Sequence, residues 1–355
     1  MMPLAGEVDA KTSLVFEENM SMDSSSGDFS LSGEEGTSSP VLQQEWIVVQ
    51  DVLKQKLILE DDFTWAISPR DAHVNPVGMV EMLHYIGGVD VSFLKEDPSL
   101  ACGALVVLDA CTMNVVHEEF EVVRLQVPYV PGFLAFREVP ILLKLLERMK
   151  SNAHSLYPQL LMVDGNGILH PRGFGVACHL GVLANLPTIG IGKNLHHVDG
   201  ITQSRVRQLL ESRPNIEKDI ISLVGESGKV WGAAMRSTSG SVKPIYISLG
   251  HRISLESSIR VTKFCCKFRV PEPIRQADIR SRVFLQKLKI SGNLAIGTAT
   301  SCSSKEVIRN IYRFRVASKK THHTAFFPIA LIISPSSFVH EPPAAAAASS
   351  PCINL

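Results

Sequence analysis

The sequence predicts an α/β protein built in layers. Three β-rich runs, GGVDVSF, ACGALVVLD and NVVHEEFEVVRL, follow one another between residues 87 and 125 with short polar joints, the pattern of an antiparallel meander. Beyond them, helical and strand-like apolar periodicities alternate.

Taken in order, residues 1–40 are rich in Ser, Gly, Glu and Asp and hold eight acids against one base, Lys11. Such a segment buries too little apolar surface to offset its ordering entropy, so it is expected to be a disordered acidic arm. Helical periodicity begins near Leu42 in LQQEWIVVQDVLKQKLIL. The meander follows, then the stiff loop Pro128-Tyr129-Val130-Pro131-Gly132 and a helix in FLAFREVPILLKLLERMK. Pro140 disfavours helix at Val139 and predicts a kink or a late start there. QLLMVDGNG reads as a strand, GFGVACHLGVLANL as a helix and PTIGIGK as a strand. KVWGAAMRS and PIYISLGHR are two further strands. Ser254 can cap the next helix, with Glu256 in its first turn, and PEPIRQADIRSRVFLQKL is the last one. This gives a domain over residues 41–290, followed by a C-terminal extension over 291–355 without periodicity that demands packing.

The chain has 355 residues, 45% of them hydrophobic, enough for one sizeable core or two small ones. Basic and acidic residues balance at 35 each, but the acidic arm leaves the remainder mildly basic, which suits either a nucleic-acid binder or any soluble enzyme with a charged tail. Seven cysteines without regular spacing make neither a disulfide framework nor a CxxC zinc site. No signal peptide is read at the N-terminus, and the longest apolar run, near Ala325–Ile333, falls well short of the roughly 20 residues of a membrane span. An intracellular, reducing location, cytoplasm or nucleus, is expected.

Three carboxylates stand where apolar residues belong. In GGVDVSF, Val89, Val91 and Phe93 share one face, leaving Asp90 with Gly88 and Ser92 on the other, which is either room for a ligand or a face that meets water. In QLLMVDGNG an apolar run ends at Asp164-Gly165, either a turn or an acid delivered to the carboxyl edge of a sheet. Glu138 has Leu134, Ile141, Leu142, Leu145 and Met149 as helical neighbours, while Arg137, Lys144 and Arg148 form a separate stripe. Glu138 therefore faces inward, where an unpaired carboxylate is costly and needs a partner, a salt bridge or a metal ion. Converging acids would suit Mg²⁺ or Mn²⁺, which prefer oxygen ligands, and such an ion serves phosphodiester hydrolysis. Lys193 and His251 occupy comparable strand-end positions, surface residues unless the sheet order brings them to the acids. Tyr129, presented by the stiff loop, either stacks on a base or tucks against the body.

These motifs resemble those of the endonuclease V family. GGVDVSF, PYVPGFLAFREVP, LLMVDGNGILHPRGFGVACHLGVL, IGIGKNL, YISLGHRISL and PEPIRQAD occur here in the family's order, over roughly residues 41–287. The resemblance implies a ribonuclease H-like mixed central sheet flanked by helices. It implies a Mg²⁺ site from Asp90 and Asp164 completed by Glu138, with Mn²⁺ able to substitute, and gives Lys193 and His251 basic active-site roles. Tyr129 matches the wedge beside a displaced base. Gly132, Leu134, Gly165 and Gly175 match a largely backbone pocket for inosine, and His170 and Arg172 match a segment that approaches the nucleic-acid backbone. The implied reaction is hydrolysis of the second phosphodiester 3′ to inosine in single-stranded RNA or deoxyinosine in DNA, by a monomer without a membrane, in RNA processing or DNA repair. Wording closer to eukaryotic members favours RNA. Two rival readings stand beside it: another ribonuclease H-like nuclease, such as a junction resolvase, and a non-catalytic inosine-RNA-binding module.

Overall fold

The computed structural model describes residues 40–67, 81–152, 155–214, 218–239, 241, 243–290 and 300–302. The predicted acidic arm and nearly all of the C-terminal extension lie outside these residues.

The meander forms as predicted. Strands β1 (Tyr85–Phe93), β2 (Leu100–Asp109) and β3 (Val115–Leu125) pair antiparallel. After helix α2 (Ala135–Ser151), strand β4 (Leu160–Asp164) pairs parallel to β1 with Val89 opposite Val163, so Asp90 and Asp164 end up on adjacent strands. Helix α3 (Val176–Ala184) leads to β5 (Thr188–Gly192), parallel to β4. β7 (Val230–Arg236) and β8 (Ile245–His251) extend the sheet antiparallel, and helices α5 (Leu255–Cys265) and α6 (Glu272–Ile290) follow. Helix α1 (Pro40–Lys54) precedes the sheet. Three elements have no counterpart among the predicted ones: α4 (Gln203–Glu211), β6 (Asp219–Val224) and the short β9 (Thr300–Cys302). The nine strands lie in the order β6-β7-β8-β5-β4-β1-β2-β3-β9.

Alternation along the strands builds two cores. Ile86, Leu160, Met162, Ile189, Ile191 and Ile247 face α5 and α6, whose Val261, Ile274 and Ala277 complete that layer. Val89, Leu105, Leu161 and Val163 face α2 and α3, against Val139, Leu142, Leu145 and Leu180. Lys144 and Arg148 turn away from this core and reach β3, pairing with Glu121 at 2.5 Å and 2.9 Å and, from Arg148, with Glu119 at 2.5 Å. Pro140 does not delay the helix, which runs from Ala135 through it. Its ring forfeits the bond to the Phe136 carbonyl in the second turn, and the helix continues past it. Gly88 is required for steric reasons. A Cβ there would lie 2.0 Å from the Pro273 carbonyl oxygen, so only glycine lets α6 seat this closely on β1.

Candidate active site

The parallel pairing of β1, β4 and β5 decides what converges. Asp90, Asp164 and Lys193 follow the same side-chain alternation as Ile86, Leu160, Met162, Ile189 and Ile191, so they emerge on the α6 side of the sheet at its carboxyl edge. The Lys193 ammonium donates to Asp164 Oδ2 at 2.5 Å. Ser92 Oγ donates to Asp90 Oδ2 at 3.2 Å and lies 2.7 Å from Ser281 Oγ on α6. Asp90 thus shares its face with Gly88 and Ser92 as the alternation predicts, and that face is covered by a helix.

Glu138 arrives from α2, buried as its apolar neighbours predicted. Burial, then the charges of Asp90 and Asp164, push its carboxyl up to about 8. Burial and Asp164 likewise hold the Asp90 carboxyl well above the usual range, with Lys193 only partly opposing. On Lys193 itself burial works against the charge, but Asp164, Asp90 and Asp278 outweigh it and raise its pKa. The edge therefore crowds buried carboxyl groups around a single lysine, and burial with their mutual repulsion disfavours ionising them together.

Asp278 is an acid that sequence reasoning did not single out. It lies on α6, inside the motif PEPIRQAD, and its charge acts on both Asp90 and Lys193. Arg282 pairs with it at 2.7 Å. A signal was available: α6 buries Ile274, Ala277, Ser281 and Leu285, a stripe that leaves Asp278 at its border rather than on the solvent side.

His251 is a correction. β8 runs antiparallel to β5, so its last residue pairs with Thr188, at the start of β5, and not with the Lys193 end. Three to four residues of strand, on the order of 10 Å or more along the sheet, separate it from the carboxylates. It is buried, and its Nδ1 accepts from the Ile58 amide at 3.3 Å. Burial and the Arg252 charge push it down to about 4, so it is a neutral acceptor within the fold.

The β3–α2 loop reaches the same edge, since β3 ends beside the Phe93 end of β1 across β2. Tyr129 is 57% exposed, presented and not tucked in. Gly132 adopts φ +81° with open space around its Cα, and Leu134 is half-buried at the head of α2. The amides of Gly165 and Gly175 are already spent, on Ile191 O at 3.1 Å and Gly167 O at 2.9 Å. These two glycines therefore offer smallness and not donors: a Cβ on Gly175 would meet Asn166 O at 2.2 Å. His170 accepts from the Arg172 amide at 3.2 Å, and burial followed by the charges of His196, Arg172 and Lys54 pushes it down to about 4.

Gln50, on α1, is a second residue missed. Only 1% exposed, it donates to Phe174 O at 2.9 Å and to Gly132 O at 3.4 Å, and its Oε1 accepts from Arg172 Nε. One side chain so ties the Tyr129 loop to the His170–Gly175 segment. A Gln on an amphipathic helix that carries two others, Gln43 and Gln44, gives no such hint in sequence.

Among the described residues, no three His, Cys, Asp or Glu side chains stand in a ready coordination cluster. The donor chemistry nevertheless fits a hard divalent cation: Asp90, Asp164, Glu138 and Asp278 offer only oxygen, and burial followed by the neighbouring carboxylates holds Asp90 and Glu138 away from ionisation.

The sequence model of the endonuclease V family matches residues 70–279. The chain belongs to the endonuclease V family. Human endonuclease V is 47% identical over 246 residues, covering 68% of this chain and 83% of that protein. Mouse endonuclease V is also 47% identical, over 242 residues. The crystal structure of the catalytic domain of human endonuclease V superposes with a TM-score of 0.65 at 44% identity, covering 70% of this chain and 98% of that one. That of a variant of Ciona intestinalis endonuclease V, in complex with a 23mer DNA containing an inosine followed by a ribo-adenosine, gives 0.62 at 34% identity, covering 71% and 100%. Family membership makes the chain a nuclease, a hydrolase of phosphodiester bonds, and confirms the predicted α/β architecture. Among the described residues no helix is long and apolar enough to cross a membrane.

Proposed function

We propose that this chain hydrolyses the second phosphodiester 3′ to inosine in single-stranded RNA, or to deoxyinosine in DNA, leaving a 3′-hydroxyl and a 5′-phosphate. The observation that carries the proposal is the convergence of Asp90, Asp164, Asp278 and Glu138 with Lys193 at one sheet edge, beside a loop that presents Tyr129. The relative from Ciona, bound to inosine-containing DNA, supports the substrate class.

In this reading Asp90 and Asp164 would hold Mg²⁺ or Mn²⁺, with the Glu138 and Asp278 carboxyl groups nearby. When bound, such an ion would supply activation of water and stabilisation of charge on the phosphodiester. Lys193, seated on Asp164, would neutralise charge on the phosphate. Tyr129 fills the space left by the displaced base, and Gly132 and Leu134 border the pocket, with the spent amides of Gly165 and Gly175 forming tight walls. Arg172 and the neutral His170 meet the backbone of the strand. Cys102, Cys178, Cys265 and Cys266 are free thiols, which supports a reducing compartment, cytoplasm or nucleus.

A cleavage assay tests this. End-labelled RNA and DNA strands, each with one inosine or a matched adenosine, are incubated with Mg²⁺, Mn²⁺ or EDTA. A single metal-dependent cut one nucleotide beyond inosine is expected, faster on RNA. Cleavage of inosine-free junctions with indifference to inosine, or tight binding without product, would overturn it.

A further inference from the structure

The segment joining α5 to α6 carries a second surface at the catalytic edge. Between residues 260 and 275 stand five bases, Arg260, Lys263, Lys267, Arg269 and Arg275, against one acid, Glu272. Within it Phe268 is 52% exposed. The ring is nevertheless held: the Arg275 guanidinium lies 4.3 Å from its centroid, and Arg275 is itself fixed by two bonds to Glu272, at 2.7 Å and 2.8 Å. Gln276 gives Glu272 a third donor at 2.7 Å.

Arg269 rivets this segment to the edge. Its guanidinium donates to Lys243 O at 3.1 Å and to Pro244 O and Lys193 O at 3.2 Å each, while Ser237 Oγ donates to Arg269 O at 2.6 Å. The braced aromatic is thus one residue from a side chain bonded to the carbonyl of Lys193, whose ammonium sits on Asp164. Lys243 and Lys267 are both exposed.

A fixed aromatic face flanked by exposed lysines suits single-stranded nucleic acid, in which bases stack and phosphates pair with the cations. Its place fixes the direction. Tyr129, Gly132 and Leu134 precede α2, on one side of the sheet; the carboxylates lie at the edge; Phe268 lies in the layer of α5 and α6, on the other side. A strand whose inosine sits near Tyr129 and whose scissile bond lies over Asp90 and Asp164 leaves across Phe268.

We infer that Phe268, backed by Arg275 and flanked by Lys243 and Lys267, is a stacking platform for the 3′ flank of the cleaved strand. The assignment of this flank rests on the inosine reading above; the affinity for a single strand does not.

The test uses the full chain and the variants Phe268→Ala, Phe268→Trp and Lys243→Glu with Lys267→Glu. Binding to a labelled oligothymidine without inosine is measured by anisotropy over a range of salt. Separately, kcat/KM is measured on inosine strands with a long or a truncated 3′ flank. Phe268→Ala is expected to weaken oligothymidine binding by about tenfold and to lower the long-to-short ratio of kcat/KM by a similar factor, with Phe268→Trp restoring both. The charge reversals flatten the salt dependence of binding. Wild-type binding and a wild-type ratio in Phe268→Ala would overturn the platform. Loss of oligothymidine affinity by a chain that cuts no inosine strand would uphold the surface and sink the inosine reading.

Discussion

The two ends of β5 carry polar side chains that look alike in sequence and differ in the fold. At its carboxyl end, Lys193 meets Asp164 at 2.5 Å, with Asp90 and Asp278 acting on the same ammonium. At its amino end, Thr188 pairs with His251, whose ring accepts a backbone amide from Ile58. The first end crowds buried carboxyl groups that burial and mutual repulsion hold away from ionisation; the second holds a neutral histidine that serves as a backbone acceptor. Strand direction makes the difference. Parallel β1, β4 and β5 deliver their last residues to one edge, and antiparallel β8 delivers its last residue to the opposite one. A basic residue at a strand end is therefore evidence for a site only once the direction of that strand is known.

The sharpest way to break this contrast is to remove an acid from the charged end. Asp90→Ala or Asp164→Ala is expected to lower single-turnover cleavage by about 10³-fold or more, and EDTA to do the same to the wild-type chain. Unchanged melting would show that the loss is chemical and not structural; a wild-type rate in either variant would refute the assignment. Lys193→Ala should cost less, about 10²-fold, since it removes one stabilising charge and leaves the acids in place. Rates at several substrate concentrations would show the fall in kcat.

Tyr129→Ala is expected to act on engagement, weakening affinity for an inosine-containing strand by about 1–3 kcal/mol while an inosine-free strand is held nearly as before. Anisotropy with both strands checks it. At the quiet end of β5, His251→Leu should lower stability at pH 7 by about 1–3 kcal/mol, because the Ile58 amide loses its acceptor. The pH dependence follows from its depressed pKa. A histidine that titrates at 6.5 when unfolded and at about 4 in the fold binds fewer protons in the native state across that window. Stability from this group is therefore complete above pH 6.5 and is lost as pH falls toward 4. Denaturant titrations of His251→Leu should show a flatter profile over that range.

Much of the fold was legible because alternation and helical spacing are local. GGVDVSF, QLLMVDGNG and the apolar stripe around Glu138 gave β1, β4 and α2 directly, and with them three of the four acids. What escaped depended on pairing. Asp278 sits at the border of a helical stripe and has Arg282 four residues on, so it resembles a solvated ion pair until α6 is laid across β1 through Gly88. Gln50 acts over more than 80 residues of sequence, on Gly132 and Phe174, and no local pattern marks it. α4 and β6 were overlooked because Val206, Leu210, Ile221 and Leu223 are their only fully buried residues, a thin apolar trace among polar neighbours.

The central claim is that the carboxyl edge of β1, β4 and β5, with α6 above it, performs the chemistry and that the opposite edge does not. Single-turnover cleavage by Asp278→Asn and His251→Leu, side by side and normalised to folded protein, tests it most directly. A loss of about 10²-fold in Asp278→Asn with a rate close to wild type in His251→Leu is the predicted result. A near-normal rate in Asp278→Asn together with an inactive His251→Leu would contradict it.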